Sequence, residues 1–236
     1  MTGENGTGRW RRQRQKPMDR KFEGTPELRI GTLPCECSHP PGAAKMIAVT
    51  GGPGAGKSAL LELAERSFCS HVVILPEAAT ILFSGGFPRL ATVSGERAAQ
   101  RAIFHVQREL ERMAFEDGRF SAILCDRGTV DGIAYWPGDP AEFWKDLETD
   151  RMQELARYDG VLHLETPAGL HGYNRRNAIR IETPLEAHEI DLRIRQGWAG
   201  HPRRHVIPQM NHFHEKALRA LEVLKGEVPP CCSRRP

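Results

Sequence analysis

The chain has 236 residues, 39% of them hydrophobic and 27% charged, with a formal net charge of +3. This length suits one large domain or two small ones, and the composition suits a water-soluble globular fold with polar ends. The charge is too small to argue for a nucleic-acid partner, no apolar stretch is long enough to cross a bilayer, and the basic N-terminus lacks the apolar core of a secretory signal. A cytoplasmic protein with reduced thiols is therefore expected.

Residues 1–44 read as a disordered basic leader. Arg9, Arg11, Arg12, Arg14, Lys16, Arg20 and Lys21 crowd its first part, and few apolar side chains are available to bury. The six cysteines divide between predicted core segments (Cys69, Cys125) and the ends of the chain (Cys35, Cys37, Cys231, Cys232). Cys35-Glu36-Cys37-Ser38-His39 has a C-x-C spacing unlike the usual zinc knuckle, and no second Cys/His pair follows at a suitable distance. It is read as a flexible segment. The histidines at 201, 205, 212 and 214 form no metal set either.

A folded domain is expected over residues 45–225, followed by a flexible tail, 226–236. Within it, short apolar runs alternate with amphipathic segments. Strands are predicted at 46–50, 72–75, 122–125, 161–164 and 205–207. Helices are predicted at 57–67, 78–83, 96–115, 141–148, 185–196 and 212–225. Repeated β–α alternation implies a parallel sheet covered by helices on both faces, with ligands at the carboxyl ends of the strands. No internal repeat and no second domain is evident.

The first strand leads into Gly51-Gly52-Pro53-Gly54-Ala55-Gly56-Lys57-Ser58, which fits the phosphate-binding pattern G-x-x-x-x-G-K-[ST] at every fixed position. The glycines let the backbone curl so that successive N–H groups converge on an anion. Lys57 adds a charge near the β and γ phosphates, Ser58 offers a hydroxyl to Mg²⁺, and the helix starting at Lys57 and Ala59 aims its positive end at the same phosphates. The chemistry implied is binding of ATP or GTP with Mg²⁺.

The rule that ligands gather at strand ends makes the following residues candidates. Glu77 follows the second strand. It is a candidate to orient an acceptor hydroxyl or take its proton, or to cap the helix at Ala78. Asp126 closes Ile123-Leu124-Cys125-Asp126, the Walker B arrangement of a carboxylate that contacts Mg²⁺ directly or through water. The next residue is Arg127, where motor ATPases carry a water-polarising glutamate. That argues for phosphoryl transfer to a bound acceptor rather than hydrolysis. The alternative for Asp126-Arg127 is an ion-paired surface turn.

Between the fourth and fifth strands lies Tyr173-Asn174-Arg175-Arg176-Asn177-Ala178-Ile179-Arg180, read either as a lid whose guanidinium groups close on phosphates or as a solvated charge run. Arg175 and Arg180 are the lid candidates for the transferring phosphate. Gln107 and Arg108 on a long helix, Arg89 on a loop, and the aromatic pair Tyr135-Trp136 are further candidates for acceptor contacts.

These motifs occur in order: GGPGAGKS, LPEAAT, a long helix with Gln107, LCDRGTVDGIAYW, LHLETP, then YNRRNAIR. Together they resemble the P-loop ATPase/kinase family that contains the ribosylnicotinamide kinase domain of the bifunctional NAD-synthesis regulator and the TRPL translocation defect protein. More distantly, they resemble deoxynucleoside and thymidylate kinases. The resemblance covers about residues 45–225. It implies a three-layer α/β/α P-loop NTPase fold with a five-stranded parallel sheet, nucleoside-kinase-like, an ATP and Mg²⁺ site, and a lid. It also implies that Asp126-Arg127 matches the acid–arginine pair after the third strand, that Glu77 matches the acidic residue after the second, and that Asp131 lies near an acidic base-reading position. The expected function is a small-molecule kinase acting on a nucleoside triphosphate and an unidentified acceptor. The alternative is a nucleotide-dependent switch or trafficking module that binds a protein or lipid.

Overall fold

A computed structural model describes residues 27–167 and 183–233. In chain order the elements are β1 (Arg29–Ile30), β2 (Lys45–Thr50), α1 (Lys57–Ser67), β3 (Val72–Leu75), α2 (Ala78–Ser84), α3 (Val93–Asp117) and β4 (Ala122–Asp126). A 3-10 turn (Thr129–Tyr135) follows, then α4 (Pro140–Asp146), α5 (Arg151–Leu155), β5 (Gly160–Leu164), α6 (Pro184–Gly197), β6 (Arg204–Ile207), α7 (Phe213–Glu227) and a short 3-10 turn (Pro230–Cys232).

The sheet order is β1-β3-β4-β2-β5-β6. The last five of these strands run parallel, and β1 pairs antiparallel with β3 as a two-residue edge. Every residue of β3, β4 and β5 is buried, the mark of strands covered on both faces. Alternate residues of β2 face opposite layers. Ile47 and Val49 pack with Leu60, Leu61 and Ala64 of α1 and Ala220, Leu221 and Leu224 of α7. Met46 and Ala48 pack with Ala114 of α3, Ile194 of α6 and the fully buried Trp198. The architecture is the expected α/β/α sandwich, with β1 as an addition to the five parallel strands.

Local chemistry sets the helix ends. The Thr92 side chain accepts from Gly95 N at 3.1 Å to start α3, and Gly118, at φ 75°, ends it in the left-handed conformation. At α6, Thr183 and Glu186 form a capping box ahead of Pro184 in the first turn.

Both ends of the described chain are more ordered than the sequence indicates. Gly31 N, Thr32 N and Leu33 N donate to Val72 O, Glu65 O and Phe68 O, each at 2.9 Å. A side chain at position 31 would place its Cβ 2.3 Å from Cys69 O, so only glycine permits this approach. At the other end, Val228 and Cys232 are buried in the same cluster as α1 and α7, and Cys69 N donates to Cys232 O at 2.9 Å. The reason for the difference is physical. Each segment has too few apolar residues to build a core of its own, but enough to complete one built by other elements.

Val228→Asp would place an unpaired charge in this seam. It should lower the unfolding free energy by about 3–5 kcal/mol in urea denaturation, whereas Leu218→Asp, at an exposed position on α7, should change it little.

Candidate functional site

The parallel register sets the site. Val49 pairs with Asp126, and Thr50 pairs with His163, so the phosphate loop leaves β2 between the carboxyl ends of β4 and β5. Chain order reverses across β2, with β4 and β3 on one side and β5 and β6 on the other, and a crevice opens at such a point.

The loop is built by close approach. Gly51, Gly54 and Gly56 have φ of 133°, 81° and 96°. A Cβ on Gly52 would lie 2.6 Å from Thr166 Oγ1 and 2.8 Å from Ala187 O, and one on Gly56 would lie 2.3 Å from the Phe213 ring. Pro53 and Ala55 are buried with the loop, whereas Ser58 and Ala59 at the start of α1 are exposed. Lys57 folds back, donating to Gly51 O at 2.7 Å and Gly52 O at 3.1 Å. Burial, reinforced by Arg127, lowers its pKa to about 8, so the ammonium persists at neutral pH.

Arg127 is the hub of the carboxylates. It has φ 76°, unusual for a residue with a side chain, and its N–H donates to Val49 O at 3.0 Å. Its guanidinium donates to Glu77 Oε1 at 2.5 Å, Asp131 Oδ2 at 3.2 Å and Gly51 O at 3.4 Å. Burial alone would raise the Glu77 carboxyl, but Arg127, Lys57 and a hydrogen bond from Thr80 outweigh it and hold the pKa at about 2. Glu77 is the residue before α2, yet its side chain makes no capping bond to the helix, so its alternative role as a side-chain cap is not the one observed.

Asp126 differs. Burial and the nearby Glu77 carboxylate raise its pKa to about 6. Ser58 and Asp126 line one cavity of about 630 Å³, together with Lys57, Glu77 and Arg127. A hydroxyl and a carboxylate facing one space are hard oxygen donors of the kind Mg²⁺ takes, and a carboxyl that resists ionisation without a neighbouring cation fits that role.

The cavity extends beyond the charged groups to Phe83, Arg89, Phe104, Gln107, Tyr135 and Trp136. Of the acceptor-side candidates, Arg108 alone is absent from this wall, because it pairs with the buried Glu154 at 2.7 Å. Asp131 lines the cavity but is not free to read a base: it accepts from Thr50 Oγ1 at 2.7 Å, from Trp198 Nε1 at 2.6 Å and from Arg127. Arg175 and Arg180, with the rest of the arginine-rich segment, lie outside the described residues.

Several residues enter the site that the sequence reading passed over. Asp191 accepts from Gly52 N at 2.6 Å. Lys216 donates to Ala55 O at 3.0 Å and Glu165 O at 2.5 Å, tying α7 to the phosphate loop. Arg193, on α6, lines the cavity. Asp191 and Arg193 lie mid-helix and Lys216 in the first turn of α7, with no adjacent motif to mark them. The only available signal was a charged residue on the inward face of an amphipathic helix.

With this geometry in view, comparison with known proteins decides the family. The AAA domain family matches residues 46–216. The chain belongs to that family. No curated protein sequence matches significantly. Among solved structures, thymidylate kinase from Candida albicans has a TM-score of 0.52 at 15% identity, over 78% of this chain and 92% of that one. Deoxyadenosine kinase from M. mycoides, solved with bound dATP, has 0.54 at 13% identity, over 76% and 99%. NadR protein, solved in complex with NAD and AMP-PNP, has 0.53 at 14% identity; the match covers 78% of this chain and half of NadR. The family member therefore carries a P-loop nucleotide-binding fold of kinase-like architecture. Among the described residues, no helix is long and apolar enough to cross a membrane.

A divalent cation held by Asp126 would compete with protons for the same oxygens. Since the Asp126 pKa is raised to about 6, the Mg²⁺-dependent part of nucleotide affinity should be full above pH 7 and weaken as pH falls through about 6, as read by calorimetry with and without Mg²⁺.

Proposed function

We propose that the protein is a small-molecule kinase that transfers the γ-phosphoryl of Mg-ATP to a hydroxyl of a nucleoside-like acceptor in the cytoplasm. One observation supports it above the others: the cavity is continuous from the phosphate loop, past Glu77 and Arg127, to an aromatic wall. A switch needs room for a nucleotide alone. Here the space beyond the charged groups suits a flat second molecule, and Phe83, Phe104, Tyr135 and Trp136 line it. The buried Trp136 Nε1 has no hydrogen-bond partner among the described residues, which leaves a donor for a polar edge.

In this reading the loop Gly51–Ser58, through its amides from Gly54 to Ser58, and the start of α1 at Ala59 cradle the phosphates. Lys57 exchanges its carbonyl contacts for phosphate oxygens. Ser58 and Asp126 would hold Mg²⁺, which would neutralise charge on the phosphate oxygens. Arg127 stabilises charge on the moving phosphoryl. Glu77, ionised throughout the physiological range, accepts a hydrogen bond from the acceptor hydroxyl and aims its oxygen at phosphorus. Its low pKa suits orientation better than early proton storage. Arg175 and Arg180, outside the described residues, are the candidates for further contacts to the transferring phosphate.

Product analysis with ATP and a panel of nucleosides, including nicotinamide riboside, should show a phosphorylated acceptor. Lys57→Ala should lose both nucleotide affinity and turnover. Glu77→Gln should keep nucleotide affinity while transfer falls, and a loss of about 10²–10⁴-fold would mark Glu77 as a general base rather than an orienting group. Tight Mg-ATP binding without transfer to any acceptor would instead establish a switch.

A further inference from the structure

The amino ends of the parallel strands, opposite the cavity, gather five of the six cysteines. Cys35 and Cys37 come from the segment after β1, Cys69 and His71 from the turn before β3, His39 from the approach to β2, and Cys231 and Cys232 from the turn after α7. Cys35, Cys37, Cys69 and His71 have their ligand atoms mutually within 4.8 Å, and so do Cys37, His39, Cys231 and Cys232.

The spacings within the first group match a coordination polyhedron. A tetrahedral zinc ion with Zn–S about 2.3 Å and Zn–N about 2.05 Å has S···S edges of about 3.8 Å and S···N edges of about 3.5 Å. Cys37 Sγ lies 3.8 Å from Cys69 Sγ. His71 Nδ1 lies 3.5 Å from Cys35 Sγ, 3.4 Å from Cys37 Sγ and 3.6 Å from Cys69 Sγ. In the second group, Cys37 Sγ lies 4.0 Å from Cys232 Sγ, and His39 Nε2 lies 3.7 Å from Cys231 Sγ and 3.1 Å from Cys232 Sγ.

We propose that these seven side chains bind two zinc ions, with Cys37 as the shared ligand. The ligand count supports the sharing: seven donors, one used twice, fill the eight positions of two closed tetrahedra. Thiolate and imidazole are donors that suit Zn²⁺ and do not suit Mg²⁺ or Ca²⁺. Disulfide pairing explains the cluster less well. All five cysteines are free, Cys37 is equally a neighbour of Cys69 and Cys232, and an odd number of thiols cannot pair completely. Ser121 Oγ, 3.2 Å from Cys232 Sγ, supplies an outer hydrogen bond of the kind that supports a metal-bound thiolate.

Closed four-ligand sites are structural. The ions would clamp the segments at both ends of the described chain to the turn before β3, so metal binding contributes folding free energy directly. The cluster lies at the far edge of the sheet from the phosphate loop, and the inference does not depend on the proposed kinase activity.

The test is metal analysis of the full chain, purified reduced and without chelator from zinc-supplemented medium. Two zinc ions per chain are expected. Cys35→Ser and Cys231→Ser should each lose one, Cys37→Ser both, and Cys125→Ala, whose thiol is buried elsewhere, neither. Because a variant can fail to fold, the wild type stripped of metal should also take up Co²⁺ with the visible bands of tetrahedral thiolate coordination. Its thermal midpoint should rise when Zn²⁺ is restored. Folded protein without zinc, a single ion per chain, a different resident metal, zinc retained by Cys37→Ser, or an intact mass showing disulfides would each overturn the proposal.

Discussion

Parallel pairing of β2 with both β4 and β5 is the constraint from which the site follows. Once Val49 lies beside Asp126 and Thr50 beside His163, the carboxyl ends of three strands must emerge together. The loop leaving β2 then has a buried carboxylate on one flank and the Glu165-Thr166 segment on the other. Adding β3 on the far side of β4 brings Glu77 within reach of the residue after Asp126.

The electrostatics of the pocket follow from that crowding. Three carboxylates, Glu77, Asp126 and Asp131, and two cations share a poorly hydrated space, and burial opposes the charged forms of Glu77, Asp126, Lys57 and Arg127. Glu77 escapes this because Arg127 touches it. Asp126 does not, and it is held in part-protonated readiness. Two acids of similar intrinsic strength are thereby driven apart, Glu77 downward and Asp126 upward. This is how environment assigns different roles to like groups.

Much of this was legible in the sequence because the signals were local. Buried parallel strands of four to six residues announce themselves as apolar runs, and the loop motif is contiguous. Glu77 and Asp126 were identified simply by following strand ends. What is less legible depends on distant partners. The resemblance puts Asp131 near a base-reading position, and nothing adjacent in the sequence signals that Trp198 and Thr50 donate to its oxygens. The ligand set proposed around Cys35 and Cys37 is equally non-local: Cys69 lies 32 positions and His71 34 positions from Cys37, and Cys232 lies 195 positions from it. Asp191 and Lys216 touch the phosphate loop from helices that carry no motif.

The backbone of Arg127 has a consequence for how the protein tolerates change. Its left-handed conformation is one that glycine adopts without penalty and arginine does not. Local conformational preference at position 127 therefore favours the smallest residue, while the electrostatic demand of the cleft favours the largest cation. The ion pairs to Glu77 and Asp131 outweigh that preference, because a glycine here would relieve the backbone and leave two carboxylates without their cation.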